Sequence, residues 1–234
     1  MPKIIIVIIL IAVGIFIFGI VLKGGFGKAP SFLTASKSSQ SPCPDPLVLK
    51  TPVDIKQVTS ILYPGQERGG DFKPHGGFRF DNAKSNSTEV RAPIDSVLTD
   101  ASRYIEMNEV QYMFDFQTDC GIRYRFDHLL TLAPKFAAIV EKLPEAKVGD
   151  SRTTSVDSVN ITQNEIIATE IGLKNNLNVF VDFGVYDSSG FKAFQNPNAN
   201  ALCWFNLLSP EDAAKVKSLP SADSQSGSKS TLCK

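Results

Sequence analysis

Apolar and polar positions alternate most clearly between residues 110 and 126. In Val110-Gln111-Tyr112-Met113-Phe114-Asp115-Phe116 the apolar members recur at period 2, which predicts a strand with one buried face. Asp119-Cys120-Gly121 reads as a turn, and Ile122, Tyr124 and Phe126 alternate again, so the two segments predict a hairpin. Val179, Val181, Phe183 and Val185 repeat the pattern. Val90-Arg91-Ala92-Pro93 and Ser96-Val97-Leu98 read as two short strands around a bend. Two segments carry helical spacing. Phe136, Ile139, Val140 and Leu143 follow i, i+3, i+4, i+7 behind Pro134. Ser209-Pro210-Glu211-Asp212 supplies an N-cap, a proline at the first helical position and two acids at the positive dipole end, for a helix to about Leu219.

The N-terminus follows a different pattern. Ile4 to Leu22 is an uninterrupted uncharged run between Lys3 and Lys23. As a helix it measures roughly 28 Å, near the ~30 Å of a hydrocarbon core, and exceeds a signal-peptide core. It is read as an uncleaved membrane anchor (residues 1–23, with 4–22 in the bilayer). Residues 24–52 are rich in Gly, Ser, Pro and Lys and read as a flexible stalk. Residues 53–220 form one mainly β domain with two short helices, and residues 221–234 a polar, mobile tail held at Cys233.

Composition narrows the function. Lys and Arg total 24, and so do Asp and Glu, so the net charge is zero. This argues against nucleic acid as the main partner. Four cysteines, Cys43, Cys120, Cys203 and Cys233, are spread without a C-x-x-C pair, which favours disulfides outside the cytoplasm. Of the three pairings, Cys43–Cys120 with Cys203–Cys233 is preferred. Asn86-Ser87-Thr88 and Asn160-Ile161-Thr162 are glycosylation sequons in a host that uses them. The reading is a single-pass membrane protein with most of its chain outside the cytoplasm. Only two histidines, His75 and His128, are present, so no site can use three imidazoles.

Gly65 to Asp81 concentrates glycine, charge and His75 ahead of a strand. Ala92-Pro93-Ile94-Asp95-Ser96-Val97, Tyr124-Arg125-Phe126-Asp127-His128-Leu129 and Glu165-Ile166-Ile167-Ala168-Thr169-Glu170-Ile171-Gly172 follow in order. This order resembles the lysostaphin-type (LytM-like) zinc metallopeptidases, which cut peptide crosslinks in bacterial cell walls. Their pattern is an arginine, H-x-G-x-D, A-P-x-D-G-x-V, Y-x-H-L, G-x-x-I-A-x-x-G and H-x-H. The resemblance spans about residues 58–186 and implies a duplicated-hybrid-motif β-barrel or sandwich, related in shape to lipoyl and biotinyl carriers. It places His75 as first metal ligand and His128 as a catalytic residue. The family's ligand aspartate falls on Arg79, with Asp81 two residues on. H-x-H falls on Phe180-Val181-Asp182, so Asp182 replaces the last ligand and Phe180 a catalytic histidine. His75, Asp81 and Asp182 are thus the candidate zinc ligands, and Arg68 and Arg79 the candidate substrate contacts. A straight strand would put His75 and Asp81 roughly 20 Å apart, so a shared metal requires a bend at Gly76-Gly77.

Each residue also has a plainer role. His75 fits a surface turn, His128 a strand cap bonded to Asp127, and Asp182 a solvated strand position. Arg68 could simply pair with Glu67 or Asp71. Three functions compete. The first is a non-catalytic module on an incomplete site, with zinc absent or weakly bound, binding a cell-envelope polymer or an extracytoplasmic protein. The second is an active zinc endopeptidase. The third, a swinging-cofactor carrier, lacks its lysine at a hairpin tip. The loss of three family positions favours the first.

Overall fold

The structure is a computed structural model that describes residues 41–189 and 200–234. The expected membrane anchor at residues 4–22 lies outside the described residues. Among those described, no helix is long and apolar enough to cross a membrane.

The chain is mainly β, with short helices α1 (Pro134–Val140) and α2 (Pro210–Ser218). Its strands are β1 (Ser60–Leu62), β2 (Gln66–Arg68), β3 (Asp71–Lys73), β4 (Gly76–Arg79), β5 (Val90–Arg91) and β6 (Ser96–Glu106). They continue with β7 (Glu109–Gln117), β8 (Ile122–Leu132), β9 (Thr154–Ile161), β10 (Ile166–Ile171) and β11 (Phe180–Asp187). One large antiparallel sheet runs β1-β4-β11-β8-β7-β6-β9, with β10 pairing β5 and β8, and β2 and β3 form a separate hairpin.

Period 2 explains the layering. Along β11, Val181, Phe183 and Val185 are wholly buried on one face, and Asp182 and Gly184 take the other. Phe78, Phe126, Tyr124, Phe116 and Phe114 extend the apolar face across neighbouring strands. Phe126 stacks on Phe183 at 5.1 Å and Tyr124 on Phe116 at 4.7 Å. Phe136 of α1 and Trp204 close this core, each with no exposed surface. Ser209 caps α2 by accepting from the Asp212 N–H, as its sequence predicts.

Strand β8 changes partner midway. Residues 122–127 pair with β11, and residues 129–132 pair with β10. The junction is His128, which has a φ of 64°, a left-handed conformation rare outside glycine. Asp127 Oδ1 holds the kink by accepting from the His128 N–H at 2.8 Å and the Tyr104 hydroxyl at 2.6 Å. The His128 carbonyl accepts from the Gly172 N–H.

Two boundaries differ from expectation. The last residues of the expected stalk belong to the domain, because Leu49 is buried and its N–H bonds the Leu207 carbonyl. The expected mobile tail is docked along its length on β1 and the β2–β3 hairpin. Its hydroxyls and backbone are bonded to the domain, which its polar composition alone did not disclose.

Both disulfides form, Cys43–Cys120 and Cys203–Cys233, with separations of 77 and 30 residues. On the chain-entropy estimate the longer loop restricts the unfolded chain by about 4–5 kcal/mol, slightly more than the shorter one does. Replacing Cys43 and Cys120 with serine should lower urea-unfolding stability by at most about that amount, read from the midpoint of the fluorescence of Trp204.

Candidate functional site

Strands β4, β11 and β8 lie side by side, and register sets what meets on their polar face. Asp182 of β11 stands opposite Gly77 of β4 and Asp127 of β8, and Phe180 stands opposite Arg79. Gly77 is required here. A Cβ on it would lie 2.9 Å from Asp182 Oδ1 and 2.7 Å from the Val181 carbonyl.

Asp182 is the centre of the site. Its side chain is only 14% exposed, so it is not the solvated strand residue that its position suggested. Oδ2 lies 3.1 Å from His75 Nε2 and 3.9 Å from His128 Nε2. Oδ1 is buried and has no hydrogen-bond partner, and the same holds for His128 Nδ1. Burial opposes ionisation of Asp182. The His75 charge and hydrogen bond, then the charges of His128 and Arg68, overcome it and hold the carboxyl down at about 2.

The other residues are placed by separate elements. Arg68, at the end of β2, donates to the His75 carbonyl at 3.2 Å and to Gln66 Oε1 at 3.5 Å. Its burial lowers its pKa, against the opposing charges of Asp182 and Asp223. It therefore pairs with neither Glu67 nor Asp71. His128 packs its ring 4.5 Å from Phe180, with Nδ1 3.8 Å from Glu106 Oε2. Arg79 donates to Asn178 Oδ1 and lies 5.5 Å over the Phe180 ring. Asp81 is elsewhere. It is exposed and accepts from the Thr59 hydroxyl at 2.8 Å, and its own N–H donates back to that hydroxyl. It follows Gly77, the partner of Asp182, by four residues, roughly 13 Å of extended chain.

The structure thus brings together His75, His128, Asp182 and Arg68, keeps Arg79 beside them on Phe180, and leaves Asp81 apart. Glu106, Gln66 and Asn178 were not anticipated. Glu106 ends β6 beyond the register irregularity at Leu98 and Asp100, which period-2 counting from Ser96 does not reveal, and no local pattern marks Gln66 or Asn178.

Zinc can be tested against this donor set. Ligands at 2.0–2.2 Å from a tetrahedral ion lie ~3.3 Å from one another. His75 Nε2 and Asp182 Oδ2 have that spacing. The separation of His128 Nε2 from Asp182 is wider, and Asp81 does not reach. Among the described residues no group of three His, Cys, Asp or Glu side chains has metal-holding geometry. The side chains as placed provide two donors for an ion that needs three from the protein.

Because the folded Asp182 pKa is depressed, its ionised form contributes stability above the ordinary carboxylate value. That contribution is lost as pH falls from about 4 through 2. Asp182→Asn should be less stable than wild type at neutral pH by about 2 kcal/mol. The gap between their thermal midpoints should close towards pH 2, and a constant gap would assign the effect to packing.

No protein-family model, no curated protein and no solved structure matches the chain.

Proposed function

We propose that this chain is a membrane-anchored extracytoplasmic binding module. On this reading it is a degenerate relative of the lysostaphin-type metallopeptidases. It recognises a cell-envelope polymer or an extracytoplasmic protein over the β4–β11–β8 face and does not cut it. The membrane anchor is residues 4–22, and the outward placement rests on two disulfides in a chain without free cysteines among the described residues.

One observation carries the proposal: the cross-strand pair of Arg79 and Phe180. In the peptidase pattern these positions hold an acidic ligand and a catalytic histidine. Here the guanidinium lies over the phenyl ring and is tied to Asn178, so the two departures stabilise each other. A guanidinium beside a metal position opposes a divalent cation. Phe180 offers no base to move a proton. What stays is suited to recognition: a buried anion, two imidazoles and Arg68, with acceptor and donor atoms not yet satisfied.

The competing reading, an active zinc endopeptidase, is supported by the 3.1 Å spacing of His75 and Asp182. Metal analysis separates the two. The full-length protein, purified in detergent with added zinc and then desalted, should carry well under one zinc per chain. Arg79→Asp combined with Phe180→His should raise that occupancy. Near-stoichiometric zinc in the wild type, lost in His75→Ala, would establish the enzyme reading and remove the proposal.

A further inference from the structure

We propose that residues 220–234 are a latched strap that sets the position of Arg68 at the site, and that thiol–disulfide exchange at Cys203–Cys233 releases it. The strap's role does not depend on which ligand the face takes.

The strap makes two sets of contacts. It first extends the sheet beyond β1. The Ile61 N–H donates to the Pro220 carbonyl at 3.0 Å, and the Ala222 N–H to the Ile61 carbonyl at 2.8 Å. It then clasps the β2–β3 hairpin. Ser226 donates to the Glu67 carbonyl, Ser230 to the Pro64 carbonyl, and the Thr231 N–H to the Gly65 carbonyl at 3.0 Å. Leu232 sits against Gly65 so closely that a Cβ there would lie 2.7 Å from Leu232 Cγ.

Gln66 links the clasp to the site. Its side chain has no exposed surface. Nε2 donates to the Gly227 carbonyl at 2.6 Å and to the Ser221 hydroxyl at 3.3 Å. Oε1 accepts from the Tyr63 N–H at 3.0 Å and from Arg68. Arg68 in turn holds the His75 carbonyl and faces Asp182 and, in the strap, Asp223. The path from strap to buried carboxylate is therefore Gly227, Gln66, Arg68, His75 and Asp182.

The latch decides whether this path holds. Leu232 is the one large apolar residue of Ser221–Lys234, so the strap buries little hydrophobic surface. Hydrogen bonds to such a segment scarcely offset the entropy of ordering it. Cys233 ties its end to Cys203, next to the fully buried Trp204. Cys233 is partly exposed and Cys203 is buried, so an entering thiolate meets the Cys233 sulfur first. With a dithiol as reductant, one thiolate attacks Cys233 Sγ, forms a mixed disulfide and expels the Cys203 thiolate, which takes a proton. The second thiol attacks the reductant's own sulfur, leaves as its disulfide and frees Cys233. Two electrons pass from the dithiol to the protein.

Hydrogen exchange of the full-length protein tests the proposal. In Cys203→Ser/Cys233→Ser, exchange across 63–76 and 221–234 should accelerate at least about tenfold, with β7 and β8 unchanged. The ring resonances of His75 should move in this variant and stay in place in Cys43→Ser/Cys120→Ser. If the variant does not fold, the same signals are followed in Cys43→Ser/Cys120→Ser as dithiothreitol opens Cys203–Cys233, the one disulfide left in it. Wild-type exchange at 63–76 after the latch is opened would overturn the proposal. So would a parallel rise across β7 and β8, or an unmoved His75 signal with the strap freed.

Discussion

A carboxylate buried on a sheet face must be compensated, and Asp182 organises this end of the molecule through that requirement. No neighbour in the chain can do it. The compensating groups come from His75 ahead of β4, His128 in the middle of β8 and Arg68 on the β2–β3 hairpin. Each is brought in by a separate backbone device. Gly77 leaves room for the carboxylate, the left-handed residue at 128 turns β8 from β11 to β10, and the β2–β3 hairpin brings Arg68 to the His75 carbonyl. The aromatic underside gives the sheet cohesion, and the charge on the upper face fixes which segments must meet there.

Period-2 alternation disclosed β7, β8 and β11, because each buries one face and local sequence records that directly. The two helices were legible for a similar reason, since proline and the Ser209 cap are local signals. Partnership was less legible. His75 and Asp81 share a face on the same segment, yet register places Gly77 opposite Asp182 and leaves Asp81 to Thr59. Asp182 itself looked solvated because alternation identifies the polar face of a strand without saying what covers it. The C-terminal segment looked mobile because its contacts are made by backbone and small hydroxyls, which leave no hydrophobic pattern.

His128 shows how local and global constraints meet in one residue. A non-glycine residue at positive φ costs roughly 1–3 kcal/mol, and such conformations gather at functional positions. Here glycine would serve the kink better. The histidine there keeps Nδ1 buried and without a hydrogen-bond partner beside Asp182.

On the reading proposed above, the balance between chemistry and recognition turns on whether the departures from the peptidase pattern are independent. Arg79 placed alone at a ligand position would leave a cation facing the imidazoles of His75 and His128. Phe180 alone would leave an apolar ring on a polar face. Together they satisfy each other, since the ring face attracts the guanidinium and Asn178 takes its proton donors. Asp182 belongs to the same arrangement, because it sets an anion beside the imidazoles of His75 and His128. On the proposed reading, the three positions at which the chain departs from the peptidase pattern form one self-consistent arrangement, which is the physical case for proposing a site that binds and does not cleave.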